Sequence, residues 1–575
     1  MATPTIPNGE EYFFPILYEG DGGGQRVGKF VPFTDNGTID NSCIFNRGDN
    51  PKLSRLPSSN GNRRTLTYSV WIKRGILGTE NHFISCYDGS STDNESMWEM
   101  QFLTDNTVSI SRYSDYILQT TRTFEDTSKW YHFLMAIDTT QGTASNRVKL
   151  YVDGDEITAF DVDNRSSISQ NFDTAFNNTS DTCVIGARIN TTNRHWSGYM
   201  AEVNLVDGTA LTPSTFGLTD TSTGRWIPKT LSGITYGTNG FRLKFQDSSA
   251  LGDDTSGNGN DLTATNLAST DQTTDSPSSN FATFSPNFSS STMGLTEGNL
   301  TVTDNGGTSW ETAFVGKPVQ SGKWYFEATV DVAGLYDTFF GVNTLDSLAT
   351  NKAQYTGYAD GSAGFAPTTA GGGDVVYHGN NGNNYYYPGA STSFSNGDIA
   401  GIAYDADTGA YWMAKNNTWI SSGNPSTGAN PIFSGYTAGK LVYFGLSNTV
   451  NSTKHSVNFG QRSFAYTPPT GFSALQQDNM PETSKGISGL VWNKNRDSGS
   501  YNHGMWDSSR GKFKFVSSNT NAVEATALNG TTKFLKGGFT VGAGGGGNNS
   551  GDSIVAWNWV ANGGTTASNG NGSIT

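Results

Sequence analysis

Residues alternate in character with a period of two through Leu66-Thr67-Tyr68-Ser69-Val70-Trp71-Ile72-Lys73. An extended strand therefore places Leu66, Tyr68, Val70 and Ile72 on one face and Thr67, Ser69, Trp71 and Lys73 on the other. The period recurs at Tyr131, Phe133, Met135 and Ile137, at Val148, Leu150 and Val152, and at Trp324, Phe326, Ala328 and Val330. In the run Tyr131 to Ile137 the other set, Trp130, His132, Leu134 and Ala136, is largely apolar too, which fits a central strand covered on both sides. Helical periodicity is missing apart from a short turn at Thr212-Pro213-Ser214, where Thr can cap and Pro can open a helix. Asp153-Gly154 and Asp405-Ala406-Asp407-Thr408-Gly409 read as hairpin turns between strands. Glycine supplies 70 of 575 residues without a three-residue period, so the chain has many tight turns and is not collagen-like. The fold class is all-β.

Composition sets the limits on function. Hydrophobic residues are 34% and charged residues 15%, below the roughly 45–50% and 25% of ordinary domains. Yet 13 Trp, 24 Tyr and 33 Phe give more buriable surface than a disordered chain carries. The net charge of −15 and the lack of basic clusters argue against nucleic acid as a partner. No run of about 18 apolar residues forms a spanning helix, and residues 1–18 lack the charged and apolar regions of a secretory signal; synthesis in a cytoplasm without membrane insertion is expected. The three cysteines, Cys43, Cys86 and Cys183, are odd in number and widely spaced. Neither a disulfide framework nor a zinc site is expected from them.

Breaks in the periodicity divide the chain. Residues 1–40 read as an amino-terminal arm, 41–268 as a first sandwich, 269–280 as a linker, 281–476 as a second sandwich, 477–486 as a second linker, and 487–575 as a small β-rich carboxy-terminal domain. Within 41–268, Leu66–Lys73, Trp130-Tyr131-His132-Phe133, Val148–Gly154 and Gly198-Tyr199-Met200-Ala201-Glu202-Val203 together resemble the laminin-G (LamG), concanavalin A-like sandwich family, whose fold is a jelly roll. In 281–476, Ser321–Glu327, Gly397–Ile402 and Val457-Asn458-Phe459-Gly460 resemble a SPRY-like sandwich. This tandem, followed by Gly489–Arg496, is similar to virion proteins of tailed bacteriophages, especially marine ones, usually tail-fibre or related structural proteins. The resemblance implies tandem antiparallel β-sandwiches that recognise and build rather than turn over a substrate.

The residues carry little catalytic chemistry. Six histidines, His82, His132, His195, His378, His455 and His503, are scattered without an HExxH pair; no GxSxG elbow occurs, and Gly542–Gly547 lacks the Lys-Ser/Thr of a phosphate loop. No enzyme activity and no cofactor are expected. Oxygen-rich turns leave calcium to consider, first at Asp253, Asp254, Asn258 and Asp261, then at Asp405 and Asp407; Asx turns account for both more simply. For a sugar, aromatic faces beside amides matter most. Tyr385, Tyr386 and Tyr387, preceded by the Asn- and Gly-rich 379–384, are the first choice, although a strand with the middle tyrosine turned inward explains them equally well. Trp419, and His195 with Trp196, come next.

Taken with the resemblance, these features lead to an expected structural virion protein, a tail-fibre or appendage adhesin for a host-surface glycan or receptor, joined to other virion proteins through its arm. A capsid-bound spike or decoration protein is the alternative, and a surface-polysaccharide depolymerase the second. By analogy with fibres a homo-oligomer is expected, with a trimer as the guess.

Overall fold

A computed structural model describes residues 37–560 except 91–95, 114, 190, 192–193, 221–224, 306–308, 334–337, 368–372, 387, 390–391, 450–451, 481–487, 509, 529, 536–537 and 543–551. The arm, apart from 37–40, lies outside the described residues, as do Tyr387 and nearly all of the glycine run.

Strand Thr65–Arg74 is the middle of the first sandwich, pairing antiparallel with Tyr131–Asp138 on one side and Gly198–Asp207 on the other. Its sheet continues through Val148–Val152 at one end and Ser42–Phe45 with Gln272–Thr273 at the other. The opposing sheet runs Phe160–Asp163, Asp115–Thr123, Thr107–Arg112, Met97–Phe102, Asn81–Tyr87, Thr182–Ile185, Lys52–Arg55, Thr263–Thr265. Leu66, Tyr68, Val70 and Ile72 enter the core between the sheets, as their spacing requires. The hairpin at Asp153-Gly154 has left-handed backbone at both positions (φ 52° and 86°), the twist a two-residue turn needs. The helical turn after Thr212 is a single turn, Pro213–Thr215.

The second sandwich packs the sheet around Lys323–Val332, Ile399–Asp405 and Ala410–Lys415 against the sheet Glu311–Phe314, Val442–Asn448, Phe339–Thr344, Ser362–Ala366, Val375–Tyr377, Tyr385–Tyr386. The one α-helix among the described residues, Leu345–Asn351, follows Phe339–Thr344. Carboxy-terminal strands Ser488–Asn495, Gly504–Asp507, Lys514–Ser517 and Ile554–Val560 form a further antiparallel sheet, beside a hairpin of Thr531–Leu535 and Gly538–Val541.

The two sandwiches share buried surface. Ile44, Trp71, Trp130 and Tyr199, on the outer side of the first sandwich, belong to one apolar cluster with Phe284, Met293 and Val315 of the second. Lys73 is fully buried there, its ammonium bonded to Asp275 Oδ2 (2.8 Å), Asn280 Oδ1 (3.0 Å) and the Phe281 carbonyl (2.7 Å). Trp130 donates to the other Asp275 oxygen at 3.0 Å. The segment read as the first linker is thus packed structure: Asp275 and Ser276 are fully buried, and Gln272–Thr273 pairs with Ser42–Phe45.

A second departure concerns cysteine. Antiparallel register places Cys183 opposite Cys86, and the two are joined in a disulfide across 97 residues of sequence, with Cys43 free and buried. Sequence spacing could not show this pair, because the register of two strands far apart in the chain creates it.

Candidate functional site

The predicted tyrosine segment forms the edge of the second sandwich. Val376 pairs with Tyr386 and Tyr377 with Tyr385, so alternation sends the two neighbouring tyrosines to opposite faces. Tyr386 turns inward, packs on the core and donates its hydroxyl to the Ile432 carbonyl; burial, then the nearby Tyr436, pushes that hydroxyl up to about 12. Tyr385 turns outward and is 52% exposed. The expectation for Tyr386 as a ligand contact is therefore corrected: it anchors the hairpin, while Tyr385 is presented.

The connecting turn explains its own composition. Gly379, Asn380, Asn381 and Gly382 all have left-handed backbone (φ 82°, 56°, 52° and 77°), a region that Gly enters freely and Asn tolerates. Asn380 N–H donates to Asp360 Oδ1 at 2.7 Å, Gly379 N–H to the Gly357 carbonyl at 2.7 Å and Gly382 N–H to the Tyr358 carbonyl at 3.1 Å. A Cβ on Gly382 would lie 2.3 Å from the Tyr355 hydroxyl oxygen, so the turn rests directly on that ring. The amides of Asn381, Asn383 and Asn384 stay exposed beside it.

Around this turn the structure gathers rings that are distant in sequence. Tyr377 lies 5.4 Å from Tyr385 and 5.0 Å from Tyr355, which lies 5.4 Å from Tyr358. At its other side His378 stacks on Tyr436 at 4.2 Å and 13°, and Tyr436 is 37% exposed. The result is a sheet edge whose outward face carries Tyr377 and Tyr385 and whose other side carries the His378–Tyr436 stack beside Tyr386, both next to exposed amides and suited to the apolar face and hydroxyl rim of a sugar. Sequence reasoning found Tyr385 and missed Tyr355, Tyr358, Tyr377, His378 and Tyr436; a Ser434-Gly435-Tyr436 turn gives no local sign of the imidazole it meets.

The other sequence candidates do not join this surface. Trp196 is fully buried between Phe83 and Phe102 at 5.3 and 6.0 Å, and His195 is buried with its ring nitrogens against the carbonyls of Pro51 (3.0 Å) and Thr191 (2.9 Å). Both are core residues. Trp419 is half-buried against the Tyr325–Trp412 cluster.

At the weak calcium candidates the simpler Asx-turn reading holds. Asp254 accepts from the backbone N–H groups of Arg242 (2.9 Å), Ser256 (2.8 Å) and Asn260 (2.8 Å) and from the Ser256 hydroxyl (2.9 Å). Asp261 accepts from Asp254 N–H at 2.9 Å, and Asn258 donates to the Gly237 and Gly240 carbonyls at 2.7 and 2.9 Å. These oxygens close the loop on itself and form no ion cage. Asp405 does the same, accepting from Asp407 N–H at 3.1 Å. Among the described residues no three His, Cys, Asp or Glu side chains are grouped for a metal.

Comparison with known proteins fits this architecture. Residues 48–215 match the concanavalin A-like lectin/glucanases superfamily, and residues 477–575 match a domain of unknown function, DUF7483. No curated protein matches the sequence. Solved structures similar to parts of the chain include a protein of Bacteroides ovatus described as carbohydrate-binding, 15% identical over 40% of this chain and 58% of that one (TM-score 0.28). A heptameric SAP-like pentraxin of Limulus polyphemus is 22% identical over 30% and 78% of the two chains (TM-score 0.23). A human SPRY domain is 12% identical over 28% and 94% (TM-score 0.22). The first sandwich thus has a lectin/glucanase-type fold, which fits carbohydrate binding.

Proposed function

We propose that this chain is a structural virion protein of a tailed phage that holds a glycan of the host surface on its second sandwich, as a tail-fibre or appendage adhesin. The observation that carries the reading is the sheet edge at which Tyr377 and Tyr385 on one face and the His378–Tyr436 stack on the other flank an amide-rich turn. Supporting the phage assignment is the order of the LamG-like and SPRY-like blocks with the segment that follows them. The protein binds without cleaving, is a homo-oligomer, and meets its neighbours on the particle through its amino-terminal arm.

The test is saturable binding of labelled full-length protein to candidate marine host cells, competed by their purified surface polysaccharide. The polysaccharide's chain length should be unchanged after long incubation. Absence of binding by the folded protein contradicts the adhesin reading and favours a decoration role; shortened polysaccharide contradicts the exclusion of catalysis and favours the depolymerase.

A further inference from the structure

A cavity of about 430 Å³ lies where the two sandwiches and the carboxy-terminal hairpin meet, within the roughly 300–1,000 Å³ range of small-molecule sites. Aromatic walls come from Trp71, Trp130 and Trp226 of the first sandwich and Phe539 of the hairpin. Trp226 is held by its indole N–H, which donates to His132 Nδ1 at 3.1 Å. This chamber is remote in sequence from the tyrosine surface.

Its charge is opposite to that of the whole chain. Four cations, Lys129, Arg225, Lys317 and Lys533, line it against two carboxylates, Asp126 and Asp153, in a protein whose net charge is −15. Both carboxylates have work already: Asp153 pairs with Lys129 at 2.6 Å and accepts from His132 N–H at 2.9 Å, while Asp126 accepts from the backbone N–H and hydroxyl of Ser128 at 2.9 and 2.6 Å. Lys533 donates to the Asp153 carbonyl at 2.7 Å and pairs with Asp155 at 3.4 Å.

Lys317 is different. The backbone bonds from Val315 N–H to the Phe444 carbonyl (2.9 Å) and from Val319 N–H to the Val442 carbonyl (2.9 Å) leave Gly316-Lys317-Pro318 bulging out of the ladder. That bulge delivers the Lys317 side chain to the cavity wall. The residue is only 9% exposed, and among the described residues its ammonium has no hydrogen-bond or ion-pair partner. A nearly buried cation without a partner is costly, and an anion in the chamber would remove that cost.

We infer that the junction cavity binds an acidic saccharide, with its carboxylate on Lys317 and a ring face against the indoles. The inference stands independently of the tyrosine surface. The groups facing Lys317 are Asp275 and Asp126, which favour its charge, and Lys73 and Arg225, which oppose it; Lys129, Asp153 and Lys533 complete the wall. Burial above all, then Lys73, brings the empty-site ammonium down to about 7. An anion that binds only the charged form should therefore lose about tenfold in affinity between pH 6 and pH 8.

The experiment is calorimetric titration of the full-length protein with glucuronate, glucose and inorganic sulfate at both pH values, repeated with Lys317→Met and with Tyr385→Ala. Expected are glucuronate binding at least tenfold tighter than glucose or sulfate, and loss of at least tenfold, with loss of the pH dependence, in Lys317→Met. Tyr385→Ala should leave glucuronate binding as it is. Glucuronate no tighter than glucose, sulfate equal to glucuronate, or unchanged glucuronate binding in Lys317→Met overturns the inference. A fluorescence-monitored melt of Lys317→Met matching the parent shows that its loss is not misfolding.

Discussion

Tyr385 and Trp196 come from segments that look alike in sequence, each an aromatic beside polar neighbours, and they end in opposite environments. Trp196 stands against Phe83 and Phe102 between two closed sheets, with no exposed surface. Tyr385 stands on an edge strand of two residues, with one paired neighbour and half its surface in solvent. The difference teaches that an aromatic becomes available to a ligand through the strand's place in the sheet, not through its neighbours in sequence. Tyr386 makes the same point over one peptide bond, since pleating alone turns it inward.

The largest test of that contrast is Trp196→Ala. Removing a fully buried indole should cost about 3–5 kcal/mol, read as a lower denaturation midpoint, while any glycan affinity of the remaining folded protein is unchanged. A cost below about 1 kcal/mol would place Trp196 outside the core.

Acid tests the buried side next. Trp226 donates to His132 Nδ1, so the ring proton sits on Nε2, facing the Ser69 hydroxyl at 2.8 Å. Burial lowers His132 to about 4 and His455 likewise to about 4. Because each folded value lies below the unfolded one, the unfolded chain binds more protons in acid, and stability falls with pH between about 6.5 and about 4. Each histidine should contribute about 3 kcal/mol to that loss. Denaturant curves at pH 7 and pH 4.5 should show a visibly smaller loss for His455→Leu than for the parent; equal losses would contradict it.

Smaller effects belong to the hairpin. Tyr386→Phe removes one hydrogen bond to the Ile432 carbonyl and should cost about 1 kcal/mol. Tyr385→Ala should change stability by no more than about 0.5 kcal/mol, so thermal melts of the two variants rank the rings. If Tyr385→Ala costs more than Tyr386→Phe, the assignment of inner and outer faces is reversed.

Local pattern made the strands legible. Leu66, Tyr68, Val70 and Ile72 meet the core their spacing demands, and Asp153-Gly154 turns as its residue types require. What sequence did not show depends on register and partners far along the chain. The outward set of the same strand, Trp71 and Lys73, is buried by a second sandwich more than 200 residues away, and Cys86 meets Cys183 through strand pairing alone. At the acidic loop Asp253–Asp261 the simpler of two readings holds: carboxylates that would suit an ion also suit the backbone N–H groups of a tight turn, and here they bind those groups. Tyr385 was visible as a candidate because its Asn- and Gly-rich turn is local; His378 and Tyr436 were not, because 57 residues of chain fold between them.

Most direct for the central claim is a binding isotherm of purified host surface polysaccharide for the parent and for the Tyr385→Ala, Tyr436→Ala double variant, with equal melting temperatures confirmed first. The account predicts saturable binding by the parent and at least a tenfold loss in the variant. Equal affinity of the two proteins would contradict it.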